Sequence, residues 1–274
     1  MRPTVELLDW GTIDYAEALA RQERLFERLV ARAATAAADL ATQNIGLQSK
    51  PSVLRHPRRW TEVPRWLRTE ATQNEGGQGE EIEDKGFAGW IVVCEHPHVY
   101  TLGRSGRAEN LLVSEAELRE RGATLHRVGR GGDITYHGPG QLVVYPIVDL
   151  GRLGLGLRGY IEALEQAVIE TAGAFGLRGV GRVEGKTGVW VRSERGERKI
   201  CAIGVRASRG VVMHGLALNV AVEAAWFGLI NPCGMAGCEV ASLDSELGRR
   251  VDFEEVKRVL GERLAANLGV VVSG

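Results

Sequence analysis

Cys233 stands between Pro232 and Gly234 in the stretch Asn231-Pro232-Cys233-Gly234-Met235. Proline and glycine bend a chain, so this thiol is expected on a turn where a substrate can reach it. Most free cysteines are small buried hydrophobes and inert; the Pro-Cys-Gly setting is what argues for chemistry here. A cysteine attacks as thiolate, and at neutral pH it needs a nearby cation or base to become one. A cation is offered by Arg198-Lys199-Ile200-Cys201-Ala202-Ile203-Gly204-Val205, an apolar strand charged at its start. Strand alternation puts Lys199, Cys201 and Ile203 on one face. A lysine at a strand start commonly faces solvent, so its interest depends on what lies opposite. Cys201 is the rival nucleophile, but its apolar neighbours suit packing, and Cys233 is preferred.

The most unusual stretch is Gly129-Arg130-Gly131-Gly132-Asp133-Ile134-Thr135-Tyr136-His137-Gly138-Pro139-Gly140-Gln141. Its glycines let the backbone approach a ligand closely. They would equally serve a pair of tight turns, but turns need neither Arg130 nor His137. There is no Gly-Lys-Ser/Thr ending for a phosphate loop and no G-x-G-x-x-G dinucleotide fingerprint. His96 and His98 with Cys94 lack a second ligand pair at zinc-like spacing, so no metal is expected. Cys233 and Cys238 are too far apart in sequence for a C-x-x-C redox pair. The four cysteines are few and irregular, which argues against a disulfide framework and for a reducing compartment.

These residues must be positioned by a fold, and the pattern is of a mixed sheet flanked by helices, an α/β class. Val5–Leu8, Trp90–Cys94, Val99–Leu102, Leu142–Val148, Gly188–Arg192, Lys199–Val205 and Val211–Val220 read as strands. Helices are expected from Asp14 with Glu17, from Ser114 with Glu117, over Leu157–Phe175 up to Gly176, and from Asp252 with Glu255 to Leu268. Strands come in groups between helices, without the regular alternation of a doubly wound fold. The first helix loses its apolar face after about Ala34. Residues 35–86 have a basic half (Lys50, Arg55, Arg58, Arg59, Arg65, Arg68) and an acidic half from Glu70 to Asp84, with frequent turn formers. We read them as an inserted loop in a single catalytic domain, residues 1–274. Lys plus Arg is 34 against 35 for Asp plus Glu, so no global field points to nucleic acid or a membrane. With no signal-peptide pattern and no apolar run of membrane length, a cytoplasmic location is expected.

Taken together, the stretches resemble the octanoyltransferase (lipoyl(octanoyl) transferase) family, in the superfamily of lipoate and biotin protein ligases. The resemblance lies in Glu95-His96-Pro97-His98-Val99-Tyr100-Thr101-Leu102-Gly103-Arg104, Arg130 to Gln141, Lys199 to Arg206, His214-Gly215-Leu216-Ala217-Leu218-Asn219 and Asn231-Pro232-Cys233-Gly234, in order and register over residues 88–245. It implies a ligase-like mixed α/β catalytic domain that needs no cofactor. It also implies transfer of an octanoyl group from the phosphopantetheine of acyl carrier protein to a lipoyl-domain lysine. The acceptors would be the lipoyl domains of 2-oxoacid dehydrogenases and the glycine cleavage H protein. The family nucleophile falls on Cys233, and the lysine that favours its thiolate on Lys199. Acyl and thioester binding falls on Arg130, Gly131, Gly132, Asp133, Ile134, Thr135, Tyr136 and His137, on Ala202, Ile203 and Gly204, and on Gly215, Leu216 and Ala217. A basic rim including Arg104 and Arg107 would suit an acidic carrier protein. Residues 34–86 exceed what the family usually has there, which bears on the rim and the docking of partners. Three rivals remain: an ATP-dependent lipoate or biotin ligase with no need of the thiol, an amidotransferase between lipoyl-domain proteins, and a non-catalytic lipoyl-domain-binding protein.

Overall fold

The longest apolar runs of the chain become the middle of one sheet, and the polar, glycine-bearing stretches gather along it. The computed structural model describes residues 2–43, 86–194, 196–232 and 237–273. In chain order the elements begin with β1 (Thr4–Thr12), α1 (Tyr15–Gln43), β2 (Phe87–Glu95), β3 (Val99–Leu102), α2 (Glu115–Glu120), β4 (Thr124–Arg127), β5 (Ile134–His137) and β6 (Gln141–Asp149). There follow α3 (Leu150–Leu153), α4 (Leu157–Ala174), β7 (Val180–Val183), β8 (Lys186–Ser193), β9 (Gly196–Ser208), β10 (Val211–Asn219), α5 (Leu243–Leu247), α6 (Phe253–Leu268) and β11 (Val271–Ser273). Eight strands form a sheet in the order β11-β1-β2-β6-β10-β9-β8-β7, and β4-β3-β5 form a second, smaller one. The large sheet is parallel between β11, β1 and β2 and antiparallel across the rest.

β6 and β10 are buried along nearly their whole length because helices cover both faces. On one face Phe26 and Leu29 of α1 pack on Val143, Tyr145, Ile147 and Met213. On the other, Leu164 and Val168 of α4 and Val256, Leu260 and Leu264 of α6 pack on Val144, Val212, Leu216 and Leu218. The helix starts follow the expected caps: Asp14 Oδ1 accepts from the N–H of Ala16 and Glu17, Ser114 and Glu117 close a capping box, and Asp252 accepts from Glu255 N.

One boundary differs from the pattern. α1 runs past Ala34 to Gln43. Ala36, Ala37, Ala38 and Ala41 hold a helix by intrinsic propensity, with no apolar face required. The stretch expected as a loop from residue 35 therefore starts as helix, and its remainder, 44–85, lies outside the described residues. Among the described residues no helix is long and apolar enough to cross a membrane.

Of the irregularities in the large sheet, two lie on β10 and β9. The β6–β10 pairing is interrupted between Val212↔Val148 and Leu216↔Val144, with no shift of register. Pro146 lies in that gap and has no N–H for the ladder. There His214 takes φ +59, and its N–H goes to Gln22 Oε1 of α1 at 3.3 Å. The second is a bulge: Val189 pairs with Cys201, but Trp190 pairs with Lys199.

Candidate functional site

The two irregularities border one cavity of about 900 Å³, between the small sheet and β6, β9 and β10 of the large one. That is near the upper end for a small-molecule site, roughly 300–1,000 Å³. Its walls come from Tyr15 at the start of α1, the 105–110 segment, the 130–135 loop with His137, Val143 and Tyr145 of β6, β9 from Lys199 onward, and His214–Ala217 of β10. Leu157 and Ile161 of α4 and the Gly185–Thr187 turn complete it.

Arg130 builds the glycine-rich wall. Its Nη2 donates to Thr101 O at 2.7 Å and to Thr101 Oγ1 at 2.8 Å, and its Nε to the same hydroxyl at 3.3 Å. Its carbonyl accepts from Arg104 N, and Gly131 N donates to Val205 O. The loop is thus tied to the small sheet on one side and to β9 on the other. Asp133 braces it further: Oδ1 accepts from the N–H of Ile134 and Arg107, and Oδ2 from Asn110 Nδ2 at 2.7 Å. Arg104 and Arg107, expected at the rim, are exposed, and Arg107 lines the cavity.

Burial holds the two imidazoles that line the cavity below their ordinary pKa. Burial, with His96 and Arg130 nearby, pushes the His137 pKa down to about 3; burial, with Arg130 and Arg206, does the same for His214. His137 Nδ1 meets Gln141 Oε1 at 2.7 Å, Gln141 Nε2 donates to Asn219 Oδ1 at 2.8 Å, and Asn219 Nδ2 donates to Ala241 O at 2.9 Å. Behind them His96 donates from Nδ1 to Ile13 O at 2.8 Å and accepts at Nε2 from Tyr145 Oη at 2.7 Å. His98 pairs with Tyr136 Oη and stacks on Trp226. Both nitrogens of His96 and Nδ1 of His98 are therefore engaged within the fold. Burial also raises the Tyr15 phenol to about 12.

Lys199 reaches the cavity because of the bulge. It is 6% exposed, with Nζ 4.7 Å from the centre of the Trp190 ring. Gly188, at φ +110, makes room: a Cβ there would fall 2.5 Å from Cys201 O and 3.7 Å from Lys199 Cε. The extra residue breaks the alternation that puts Lys199, Cys201 and Ile203 on one face. Lys199, Ala202, Ile203 and Gly204 line the cavity, whereas Cys201 is sealed in the core with Val189, Val191 and Ile200.

Cys233 lies outside the described residues, with its neighbours 234–236. The chain on each side of them is described. Asn231 N donates to Asn110 O at 2.8 Å, joining the approach to the Asp133 brace. On the return, Val240 bridges to Lys199; Lys199 N donates to Glu239 O and Ala241 N to Lys199 O, each at 2.9 Å. The three described cysteines have other settings. Burial raises Cys201 to about 12 and raises Cys94 as well, and both thiols are enclosed. Cys238, expected as a packing thiol, is partly exposed beside Glu239 O.

Arg130, Gly131, Gly132, Asp133, Ile134, Thr135, His137, Gly215, Leu216 and Ala217 all line the cavity with the β9 residues above. Tyr136 does not. Alternation along β5 turns it into the aromatic cluster with Tyr100, Phe227 and Trp226. Sequence reasoning misses Tyr15, Tyr145 and His214 as lining residues. Tyr145 was hidden in an apolar strand, and the positive φ of His214 has no signature beyond a proline on the neighbouring strand.

The family model of the lipoyl protein ligase A/B catalytic domain matches residues 73–265. An octanoyltransferase of Bacteroides fragilis is 50% identical over 210 residues, 76% of this chain and 91% of that protein. One of Bacteroides thetaiotaomicron is 42% identical over 264 residues, 96% of this chain and 93% of its own. An alignment of that extent spans the 44–85 segment. Among solved structures, a bi-partite lipoate protein ligase of Thermoplasma acidophilum superposes with a TM-score of 0.55 at 18% identity, over 67% of this chain and 72% of that one. A lipoate-protein ligase A bound with ATP gives 0.55 at 17%, over 67% and 74%. At such identities these two show the fold, a mixed α/β ligase-like catalytic domain. By family model and by relatives of nearly full length, the chain belongs to the octanoyltransferase family of lipoyl protein ligase A/B catalytic domains.

Proposed function

We propose that this enzyme moves an octanoyl group from the phosphopantetheine thioester of acyl carrier protein to the lysine of a lipoyl domain, through a thioester on Cys233. In the first half-reaction the Cys233 thiolate attacks the donor carbonyl. The carbonyl–sulfur bond to phosphopantetheine breaks, and its thiolate leaves and takes up a proton. One thioester replaces another, so the step is near balance and needs no ATP. In the second, the neutral amine of the acceptor lysine attacks the acyl-enzyme. The bond to Cys233 breaks, an amide forms, and the amine's proton passes to the site as the thiolate is regenerated. An amide is more stable than a thioester, so this step runs downhill.

The observation that carries the reading is the anchoring of the Cys233 segment: its approach is bonded to Asn110 beside the 130–133 loop, and its return is bonded to Lys199. Cys233 stands six positions before Glu239, at most ~22 Å of extended chain, a length that permits the proposed pairing of its thiol with the Lys199 amine. The enclosed Cys94 and Cys201 offer no competing nucleophile. Val143, Ile203, Leu216 and Ala217 give the cavity apolar wall for an acyl chain. At ~0.8 kcal/mol per buried methylene, an octanoyl tail would contribute roughly 5 kcal/mol before ordering costs.

The test is a reconstitution from octanoyl-carrier protein and apo lipoyl domain without ATP. We expect acylation of the lipoyl lysine, and none with Cys233→Ser. A reaction that instead requires free octanoate and ATP would make the enzyme a ligase.

A further inference from the structure

We infer that Gln141 and Asn219 are positioning residues: they hold the cavity-lining His137 in a single tautomer, with Nε2 unprotonated, and lock that imidazole to the chain returning from Cys233. This deepens the acyl-enzyme reading above and rests on it for its kinetic part.

The polarity of the hydrogen-bond chain is set from one end. Ala241 O is a backbone carbonyl and can only accept, so the group facing it at 2.9 Å is the Asn219 amide nitrogen. That turns Asn219 Oδ1 towards Gln141, which must present its own nitrogen at 2.8 Å. The same nitrogen donates to Tyr136 O at 3.3 Å, which fixes its orientation a second time. Gln141 Oε1 is then left for His137, and at 2.7 Å it must receive the Nδ1 proton. A neutral imidazole has one N–H, so Nε2 carries a lone pair.

Nothing in this chain can turn over alone. Gln141 is 1% exposed, Asn219 3% and His137 7%, so a flipped amide would leave buried donors and acceptors facing their like. The far end is tied to the nucleophile's surroundings, because Ala241 N donates to Lys199 O. A shift of the returning chain is therefore felt at the imidazole. His137 with a bare Nε2 accepts a hydrogen bond from an N–H of the bound donor or acceptor. It cannot donate one to the tetrahedral oxyanion, which other groups must hold. Burial keeps it neutral across the physiological range.

The experiment uses the full-length enzyme and reads two quantities. Nitrogen NMR of the histidine rings gives the His137 tautomer. Intact mass against time gives the limiting rate and the donor concentration dependence of octanoyl adduct formation. In Gln141→Met we expect His137 to lose its single Nδ1–H form and the limiting rate to fall about tenfold or more, with KM changed by less than about twofold. Gln141→Glu, which still accepts from Nδ1–H, should restore the tautomer and part of the rate. Asn219→Asp still accepts from Gln141 but faces Ala241 O with an oxygen; it should keep the tautomer and lose rate, and it carries the test should Gln141→Met fail to fold. Wild-type tautomer in Gln141→Met, or a wild-type rate in a folded Asn219→Asp, overturns the inference. A wild-type enzyme that forms no adduct refutes the acyl-enzyme reading instead, and the tautomer measurement still judges the positioning claim.

Discussion

Arg130 joins Thr101 through three contacts of its guanidinium, and the 130–133 loop keeps its shape around them. A lysine has the charge but not the fork. Arg130→Lys should lower stability by about 1–3 kcal/mol, read as an earlier urea midpoint, and should slow acyl transfer because the loop is a cavity wall. An unchanged midpoint would mean that Thr101 is held by other contacts. Lys199 has the opposite character: its backbone is bound into the returning chain, while its Nζ lies over Trp190 and its side chain lines the cavity. Lys199→Met keeps the length and drops the charge. Alkylation of Cys233 at neutral pH should slow about tenfold or more, with the pH profile moved upward. The same profile in both proteins would separate the amine from the thiol and remove the pairing from the mechanism.

At the scale of elements, the bulge in β9 is what delivers Lys199, and Gly188 is what permits the bulge. Gly188→Ala would force a Cβ against Cys201 O at a backbone angle that alanine avoids. We expect a loss of more than about 2 kcal/mol and of most activity; a stable, active variant would show that β8 and β9 can re-register. Sequence reasoning sees β1, β2, β3, β6, β8, β9 and β10 and the capped helices because each rests on local pattern, Asp14, Ser114 and Asp252 capping where they should, and it misses the short β4, β5, β7 and β11. It sees the 130–137 loop and Lys199 because a charge in a glycine-rich or apolar setting stands out. It assigns Cys201 to the face of Lys199, because a bulge is set by the neighbouring strand and leaves no mark on its own. It turns Tyr136 inward for a similar reason: contiguous naming of a loop ignores alternation once β5 begins at Ile134. The Gln141–Asn219 link joins residues 78 positions apart, and nothing local betrays it.

Over the whole molecule, four imidazoles lie below their ordinary pKa: His137 and His214 at about 3, His96 and His98 lowered, burial being the first cause in each. The unfolded chain takes up these protons near pH 6.5 and the folded one only near pH 3 for His137 and His214. Folded protein thus binds fewer protons in that window, so stability is full above about pH 6.5 and falls as the pH drops, by up to ~1.4 kcal/mol per pH unit for each imidazole. Thermal unfolding between pH 7 and 4 should show a falling Tm. The fall should be shallower by about one proton in His214→Asn, a residue that tolerates the positive φ found there. An equal slope would mean that His214 ionises in the folded protein. The central claim, that a fold shared with lipoate ligases here works through a thiol, is tested most directly by mass. Enzyme mixed with octanoyl-carrier protein, without acceptor or ATP, should gain one octanoyl group, lost from it again when a lipoyl domain is added. Digestion should find that group on the peptide bearing Cys233; turnover with no adduct, or an adduct on Cys238, would contradict the account.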